Sequence, residues 1–167
     1  MSGVDDGDEV AAALAVHLAG VSFSDRAADA VTGLLIDAVA GWAGGRGWRV
    51  YRRAASVVTL PPPMQHQHSV IDVAVARPGA LPLAIEVDHG SRKRTVEKLV
   101  AEGAAGRVPI LVRWGGRKQG EVAGVVRLIT VDVDQHPGGR FSRGVVRPAP
   151  PHSGTGGGES VALPLDY

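Results

Sequence analysis

The sequence predicts an α/β domain in which a mixed central β-sheet is flanked by helices. Three observations lead to this prediction. Apolar residues recur at the helical period between residues 25 and 42. Two short strands, at 70–76 and 83–88, follow each other closely enough to form a hairpin. A helix at 91–103 then leads to an almost continuous apolar run at 108–114, which is typical of a strand buried on both faces.

The N-terminal half of the chain supplies two helices and one strand before the hairpin. Residues 8–18 form a short predicted helix with acidic residues in its first turn, where the helix dipole favours negative charge. Ser24 is the predicted N-cap of the longer helix at 25–42. Residues 48–60 contain β-branched and aromatic residues and end at three prolines, which cannot donate to a β-ladder. We therefore expect one further strand ahead of the hairpin.

The composition changes near residue 135, after a last predicted strand at 125–133. Pro and Gly cluster beyond this point and large apolar residues become rare. We expect an N-terminal helical extension at 1–22, an α/β domain at 23–135 and a flexible Gly/Pro-rich tail at 136–167. The domain core should follow the order helix, strand, strand, strand, helix, strand. Its hairpin strands should pair antiparallel, and the strands around the second of its helices should be parallel.

Composition narrows the function classes without choosing one. The 167 residues include no cysteine, which excludes disulfides, thiolate zinc sites and cysteine nucleophiles. A net charge of +1 implies that binding of a polyanion would need a local basic patch. No apolar run approaches the roughly 20 residues that span a bilayer, and the N-terminus is acidic where a secretory signal would be basic. We expect a soluble cytoplasmic protein with no membrane partner.

The predicted hairpin gathers three carboxylates on one face. Because side chains alternate along a strand, Asp72 shares a face with small residues of the first strand, and Glu86 and Asp88 share a face of the second. A turn centred near Gly79 places Asp72 opposite Glu86, although like charges facing each other across a ladder are destabilising. A hard divalent cation, Mg²⁺ or Mn²⁺, is the simplest reason for such a cluster. Solvated carboxylates paired with Arg or Lys are the alternative.

This order of elements and residues resembles the core of the PD-(D/E)XK, or restriction-endonuclease-like, nuclease superfamily. That core has a helix, an antiparallel hairpin with Asp on one strand and Glu-x-Lys on the next, then a helix and a strand. The segment Val-Ile-Asp ending at Asp72 resembles the Asp motif, and Ile-Glu-Val-Asp ending at Asp88 resembles the Glu-x-Lys motif. The resemblance spans residues 25–114. It implies that Asp72 and Glu86 coordinate Mg²⁺ or Mn²⁺, with the Val87 carbonyl as a further ligand.

The sequence departs from the family at the motif lysine, whose place is taken by Asp88. The resemblance implies that this carboxylate supports the metal or acts as general base. The helix at 91–103 is another source of positive charge. The apolar stripe of this helix is Val96, Leu99, Val100 and Ala104. Lys93 lies roughly 70° from the centre of this stripe, whereas Lys98 projects almost opposite it and is the poorer candidate. Asp37, on the flank of the preceding helix, is a candidate accessory acid of the kind that many family members carry, and a plain surface residue is the alternative.

Basic residues that follow two adjacent parallel strands are candidates for a phosphate-facing rim. They are Arg92, Lys93, Arg94, Arg113, Arg117 and Lys118. Because both strands end at the same edge of the sheet, we expect these side chains to lie near one another, where positive charge would bind a DNA backbone. Ordinary solvated surface charge is the alternative.

The sequence therefore predicts a Mg²⁺- or Mn²⁺-dependent DNA endonuclease with Asp72, Glu86, Asp88 and Lys93 as its catalytic residues. Loss of the motif lysine favours a second hypothesis, a catalytically degenerate relative that binds nucleic acid or a protein. A third is an unrelated enzyme that uses the acidic cluster on another phosphate compound. A homodimer would suit cleavage of both strands of a duplex.

Overall fold

The computed structural model describes residues 5–90, 92–115 and 122–144, and in this part of the chain it has three helices and eight strands. They are α1 (Gly7–Ala19), β1 (Phe23–Ala27), α2 (Ala28–Gly45), β2 (Arg49–Thr59), β3 (His68–Ala76), β4 (Leu83–His89), α3 (Lys93–Ala104), β5 (Val108–Trp114), β6 (Arg127–Val131), β7 (Asp134–His136) and β8 (Arg140–Arg143). No helix in these ranges is both long and apolar enough to cross a membrane.

Five strands form a mixed sheet in the order β2-β3-β4-β5-β6. β2, β3 and β4 pair antiparallel, whereas β4, β5 and β6 pair parallel. Ala74 lies opposite Ala84 in the β3–β4 ladder, which confirms the register predicted from a turn at Gly79. That glycine has a φ of +69°, a conformation that L side chains rarely adopt. The mixed α/β sheet, its hairpin and its β4–α3–β5 crossover are therefore confirmed.

Helices cover both faces of this sheet, because β4 and β5 carry apolar side chains on both sides. Leu83, Ile85 and Val87 point into the main core, where α1 and α2 pack. Ala84 of β4 and Leu111 of β5 belong to a smaller cluster on the opposite side, beneath α3. This three-layer arrangement removes the apolar faces of both the sheet and the helices from water.

Helix α1, which lies within the predicted N-terminal extension at 1–22, is part of the main core. Leu14 and Leu18 are almost completely buried, because the apolar stripe of α1 packs on the sheet beside α2. The segment before α1 is also anchored. The guanidinium of Arg77, at the end of β3, donates to both carboxylate oxygens of Asp6 at 2.8 Å.

A second, three-stranded sheet in the order β1-β8-β7 contains residues that the sequence assigns elsewhere. β1 replaces the predicted capping residue and first turn of α2, and β7 and β8 extend into the predicted tail. Phe23 pairs with Arg143 and Ala27 with Arg140, so the strands stabilise each other across a long sequence separation. The predicted tail beyond residue 144 lies outside the described residues.

Candidate active site

A cleft of about 420 Å³ opens at the C-terminal end of β4, between the first turns of α2 and α3. Its charged residues are Asp29, Arg53, Asp72, Glu86, Asp88, Arg92 and Lys98. The structure thus brings the three predicted carboxylates into one cleft, together with one further acid and three basic residues. Each main-sheet strand from β2 to β4 contributes a charged residue to it.

Asp72 and Glu86 form the centre of this cleft. The β3–β4 pairing runs from Val75 opposite Leu83 to Val73 opposite Ile85, and one residue further this register sets Asp72 opposite Glu86. The backbone N–H of Val87 donates to Oδ2 of Asp72 at 2.9 Å. This hydrogen bond holds the Asp72 carboxylate at the junction of the two strands, beside a Glu86 side chain that is only 8% exposed.

Lys98 of α3 provides the positive charge at this centre. Its ammonium lies 2.7 Å from Oε1 of Glu86 and donates to the Val70 carbonyl at 2.6 Å. The contact with Glu86 is an ion pair rather than an aligned hydrogen bond, because Oε1 has no hydrogen-bond partner of good geometry. Lys93, the cation preferred from sequence, is 90% exposed and pairs with Glu97 at 3.8 Å. The structure does not bring Lys93 to the carboxylates.

The apolar stripe that the sequence predicts for α3 overlaps only in part with the face that the helix buries. Leu99 is buried, but Val100 is exposed, and Glu102 is 1% exposed. Lys98 and Glu102, spaced as a helix-surface pair, each point to an interior partner instead. The sequence did contain a signal for Lys98. The crossover helix α3 must cover the face of β4 that carries Glu86, and a cation on the inner side of α3 would neutralise that carboxylate.

Burial raises the pKa of Glu86 to about 8. The hydrogen-bonding contact and like charge of Asp72 push this pKa in the same direction, and Lys98 offsets part of the rise. Two adjacent carboxyl groups in a dry environment favour holding a proton between them. The pair is therefore suited to exchange that proton for another cation.

We expect Glu86→Gln to change the dependence of stability on pH. Because the folded-state pKa of about 8 exceeds the ordinary value of 4.5, protonation of Glu86 contributes stability that is fully present below pH 4.5 and is lost as the pH rises through 8. Each pKa unit corresponds to about 1.4 kcal/mol. The free energy of unfolding of the variant, relative to that of the wild type, should therefore rise by a few kcal/mol between about pH 5 and about pH 9. Urea unfolding across this range checks the prediction, and parallel curves for the two proteins would contradict it.

Asp88 and Asp37 are placed differently from each other. Asp88 lies in the cleft, where its Oδ2 accepts a hydrogen bond from the N–H of Arg92 at 3.1 Å and its Oδ1 is 3.4 Å from the Arg92 Nε. It thereby fixes the residue that precedes α3. Asp37 is exposed, pairs with Arg52 and lies outside the cleft. The acid that α2 contributes to the cleft is Asp29, in its first turn, which sequence reasoning missed.

The donor set fits a two-carboxylate metal site better than the predicted site of three. Among the described residues, no three His, Cys, Asp or Glu side chains are grouped so that they could hold a metal ion together. Mg²⁺ commonly takes only one or two carboxylates from a protein and completes its shell with water and substrate phosphate. Asp72 and Glu86 are such a pair, although Oε1 of Glu86 already contacts the Lys98 ammonium.

The predicted basic rim is only partly assembled around the cleft. Arg92 and Arg94 line a second cleft of about 310 Å³, which shares Arg92, Thr95 and Lys98 with the first. Arg113 lies opposite Asp88 in the β4–β5 ladder, whereas Arg117 and Lys118 lie outside the described residues. Sequence reasoning missed Arg53, which lines the main cleft with a φ of 53°. Such strained conformations of non-glycine residues cluster at functional sites.

Comparison with protein-family models, with curated proteins and with solved structures gave no match of any of the three kinds.

Proposed function

We propose that this protein is a metal-dependent nuclease that hydrolyses phosphodiester bonds of DNA through Asp72 and Glu86. The observation that carries the proposal is the pairing of these carboxylates on neighbouring strands of one cleft, with the Lys98 ammonium 2.7 Å from Glu86. The order α2-β2-β3-β4-α3-β5 also agrees with the restriction-endonuclease-like core that the motifs resemble. Arg53, Arg92 and Arg94 add positive charge that favours a polyanionic substrate.

The residues of the cleft have distinct roles in this proposal. Asp72 and Glu86 would hold Mg²⁺ or Mn²⁺, which supplies Lewis acidity toward a phosphate oxygen and lowers the pKa of water. The Val87 N–H keeps the Asp72 carboxylate in place. Lys98 would donate to a phosphate oxygen, because the other side chains at the centre are acidic. Asp88 keeps Arg92 and the start of α3 at the mouth of the cleft.

The position of Lys98 bears on whether the site is active or degenerate. Asp88 stands where the family has its lysine, which favours a degenerate nucleic-acid- or protein-binding module. Lys98 reaches Glu86 from α3, so a cation is present at the centre of the cleft although it is missing from the motif. This placement is the reason to prefer the active enzyme.

Cleavage assays test the proposal directly. We expect nicking of plasmid DNA or cleavage of single-stranded DNA with Mg²⁺ or Mn²⁺, and none with EDTA. Asp72→Asn and Glu86→Ala should each lower the rate at least about 100-fold, because both remove a ligand at the reacting centre. Asp37→Asn is the matched control, since Asp37 is an exposed carboxylate outside the cleft, and its rate should equal that of the wild type.

Other outcomes assign the protein to one of the alternatives. Binding of DNA by folded protein without cleavage would identify a degenerate binding module. If the protein binds the metal but neither binds nor cleaves DNA, its substrate would be another phosphate compound. Cutting of both strands of a duplex in one encounter would call for a homodimer, which gel filtration would detect.

A further inference from the structure

We propose that His89 is a stacking platform for an unpaired nucleobase, so that the cleft accepts a single strand or a base turned out of a duplex. The inference rests on the proposed function and names the form of its substrate. His89 is an exposed residue at the end of β4 and lines the same cleft as Asp72 and Glu86. It has no part in the roles assigned above.

One face of the His89 ring lies against Trp114. The two ring centroids are 4.0 Å apart and the planes differ by 7°, which is a parallel stack. The contact follows from the sheet, because His89 and Trp114 are direct neighbours in the parallel β4–β5 ladder. Trp114 therefore covers one face of the imidazole but neither its edges nor its other face.

Phe141 of β8 lies beside this stack rather than on its free face. Its ring is nearly perpendicular to both partners, with centroids 5.4 Å from His89 and 5.1 Å from Trp114. A ring on the far side of His89 would lie much further from Trp114 than from His89, whereas these two distances are almost equal. Gly115 also lies close to the ring, since a Cβ there would be 3.1 Å from Cδ2 and Nε2 of His89. Neither Trp114 nor Phe141 therefore covers the outer face of the imidazole, and His89 is exposed.

The platform is held in place from behind. Trp114 is completely buried, and its Nε1–H donates to Oγ1 of Thr32 at 3.0 Å. The N–H of Gly90, which follows His89, donates to the Trp114 carbonyl at 3.1 Å. An aromatic face that is already ordered binds a planar ligand with little loss of side-chain entropy. The Trp114 side chain thus preorganises the imidazole at the wall of the cleft.

The setting of this platform selects a nucleobase among planar ligands. The cleft carries Arg53, Arg92 and Lys98 for phosphate next to an aromatic face for a base, which are the two components of single-strand binding sites. Every base offers a π-face, so such stacking is tolerant of sequence. In an intact duplex those faces are covered by neighbouring base pairs, and a base must leave the stack before it can reach the protein.

Fluorescence anisotropy with labelled single-stranded DNA in EDTA tests the inference without any dependence on cleavage. We expect His89→Ala to weaken binding about tenfold, as removal of one base-stacking contact does. His89→Phe keeps a flat ring and should bind within about twofold of the wild type. His66→Ala, which removes an exposed histidine of the β2–β3 connection, should bind as the wild type does. An abasic nucleotide at the stacked position should abolish the difference between wild type and His89→Ala.

Two results would overturn the inference, and they differ in what they imply. If the wild type binds single-stranded DNA and a folded His89→Ala variant binds it equally well, His89 only covers Trp114, and the proposed nuclease function is unaffected. If the wild type binds neither single-stranded nor duplex DNA, the inference falls together with the proposed function. A loss in both His89→Ala and His89→Phe would also contradict stacking, because the second variant retains the aromatic face.

Discussion

Replacement of Lys98 by Met is expected to lower the free energy of unfolding by about 3 kcal/mol near pH 9 and to reduce DNA cleavage about 100-fold. The ammonium of Lys98 lies between Oε1 of Glu86 and the Val70 carbonyl, and the side chain is only 15% exposed. Its removal leaves the Glu86 and Asp72 carboxyls without a neighbouring cation, so Glu86 must either stay charged beside Asp72 or take up a proton. Breaking a buried ion pair from one side is costly, because the remaining charge stays desolvated.

The loss should depend on pH and on metal. Well below the Glu86 pKa of about 8, Glu86 carries a proton, so the cost of Lys98→Met should fall to about 1 kcal/mol. If Asp72 and Glu86 bind Mg²⁺ or Mn²⁺, either ion should restore part of the lost stability near pH 9, since binding to the folded state alone is stabilising. Urea unfolding at the two pH values, with and without metal, measures all of these effects.

Lys93→Met is the matched control for this experiment. Lys93 stands on the same helix, but its ammonium is 90% exposed and 3.8 Å from Glu97, so its removal should cost less than about 0.5 kcal/mol at either pH. Equal stabilities for the two variants near pH 9 would show that Lys98 does not neutralise Glu86 in solution.

Replacement of Glu102 by Ala is expected to destabilise the protein by about 3 kcal/mol without a direct effect on the cleft. The Glu102 side chain is 2% exposed, and its Oε1 accepts from Ser56 Oγ at 2.6 Å and from the Val57 N–H at 2.8 Å. Its Oε2 is 3.1 Å from the Arg107 guanidinium. The β2–β3 register shifts between Ala55 and Thr59, so Glu102 satisfies donors that this irregular segment of β2 presents to the interior.

Glu97→Ala provides the comparison within α3. Because Glu97 is 62% exposed, its replacement should lower the free energy of unfolding by less than about 0.5 kcal/mol. Glu102→Gln should fall between the two, because an amide oxygen still accepts a hydrogen bond but carries no charge for Arg107. Thermal unfolding followed by circular dichroism ranks the three variants. A Glu102→Ala variant as stable as Glu97→Ala would mean that β2 does not depend on this carboxylate.

The central sheet and the carboxylate pair could be predicted because their determinants are local. Gly79 sets the turn, the turn sets Ala74 opposite Ala84, and this register carries Asp72 to the level of Glu86. The alternation of side chains along β4 then places Glu86 and Asp88 on one face, and this placement does not depend on distant residues. The same reasoning orders β4, α3 and β5 as a parallel crossover.

The inner face of α3 could not be predicted from hydrophobicity alone, because two of the residues that it turns toward the sheet are charged. Lys98 is partly buried and Glu102 fully buried because they meet Glu86 of β4 and Ser56 of β2. A helix period locates a stripe of apolar residues, but it cannot show that a charged residue has a partner on another element. The helix period therefore favours Lys93, although the structure leaves it on the surface.

The second sheet was missed for a related reason. β1 is five residues long and β8 is four, and each is stable as a strand only against the other. Short segments of mixed polarity carry little strand signal of their own. The composition change near residue 135 was therefore interpreted as the start of a tail, although Phe141 is buried in the main core.

The place of β8 in the chain affects when the protein can finish folding during its synthesis. β8 is the last described element to leave the ribosome, yet it pairs with β1, one of the first, and Phe141 packs against the His89–Trp114 stack. Until residue 143 has emerged, Phe23 has no partner strand and the side of the stack stays open to water. A nascent chain that ended at residue 135 would already contain every carboxylate of the cleft, but not the ring that packs beside His89. The carboxylates of the cleft would thus be synthesised before the Phe141 ring that completes the aromatic group around His89.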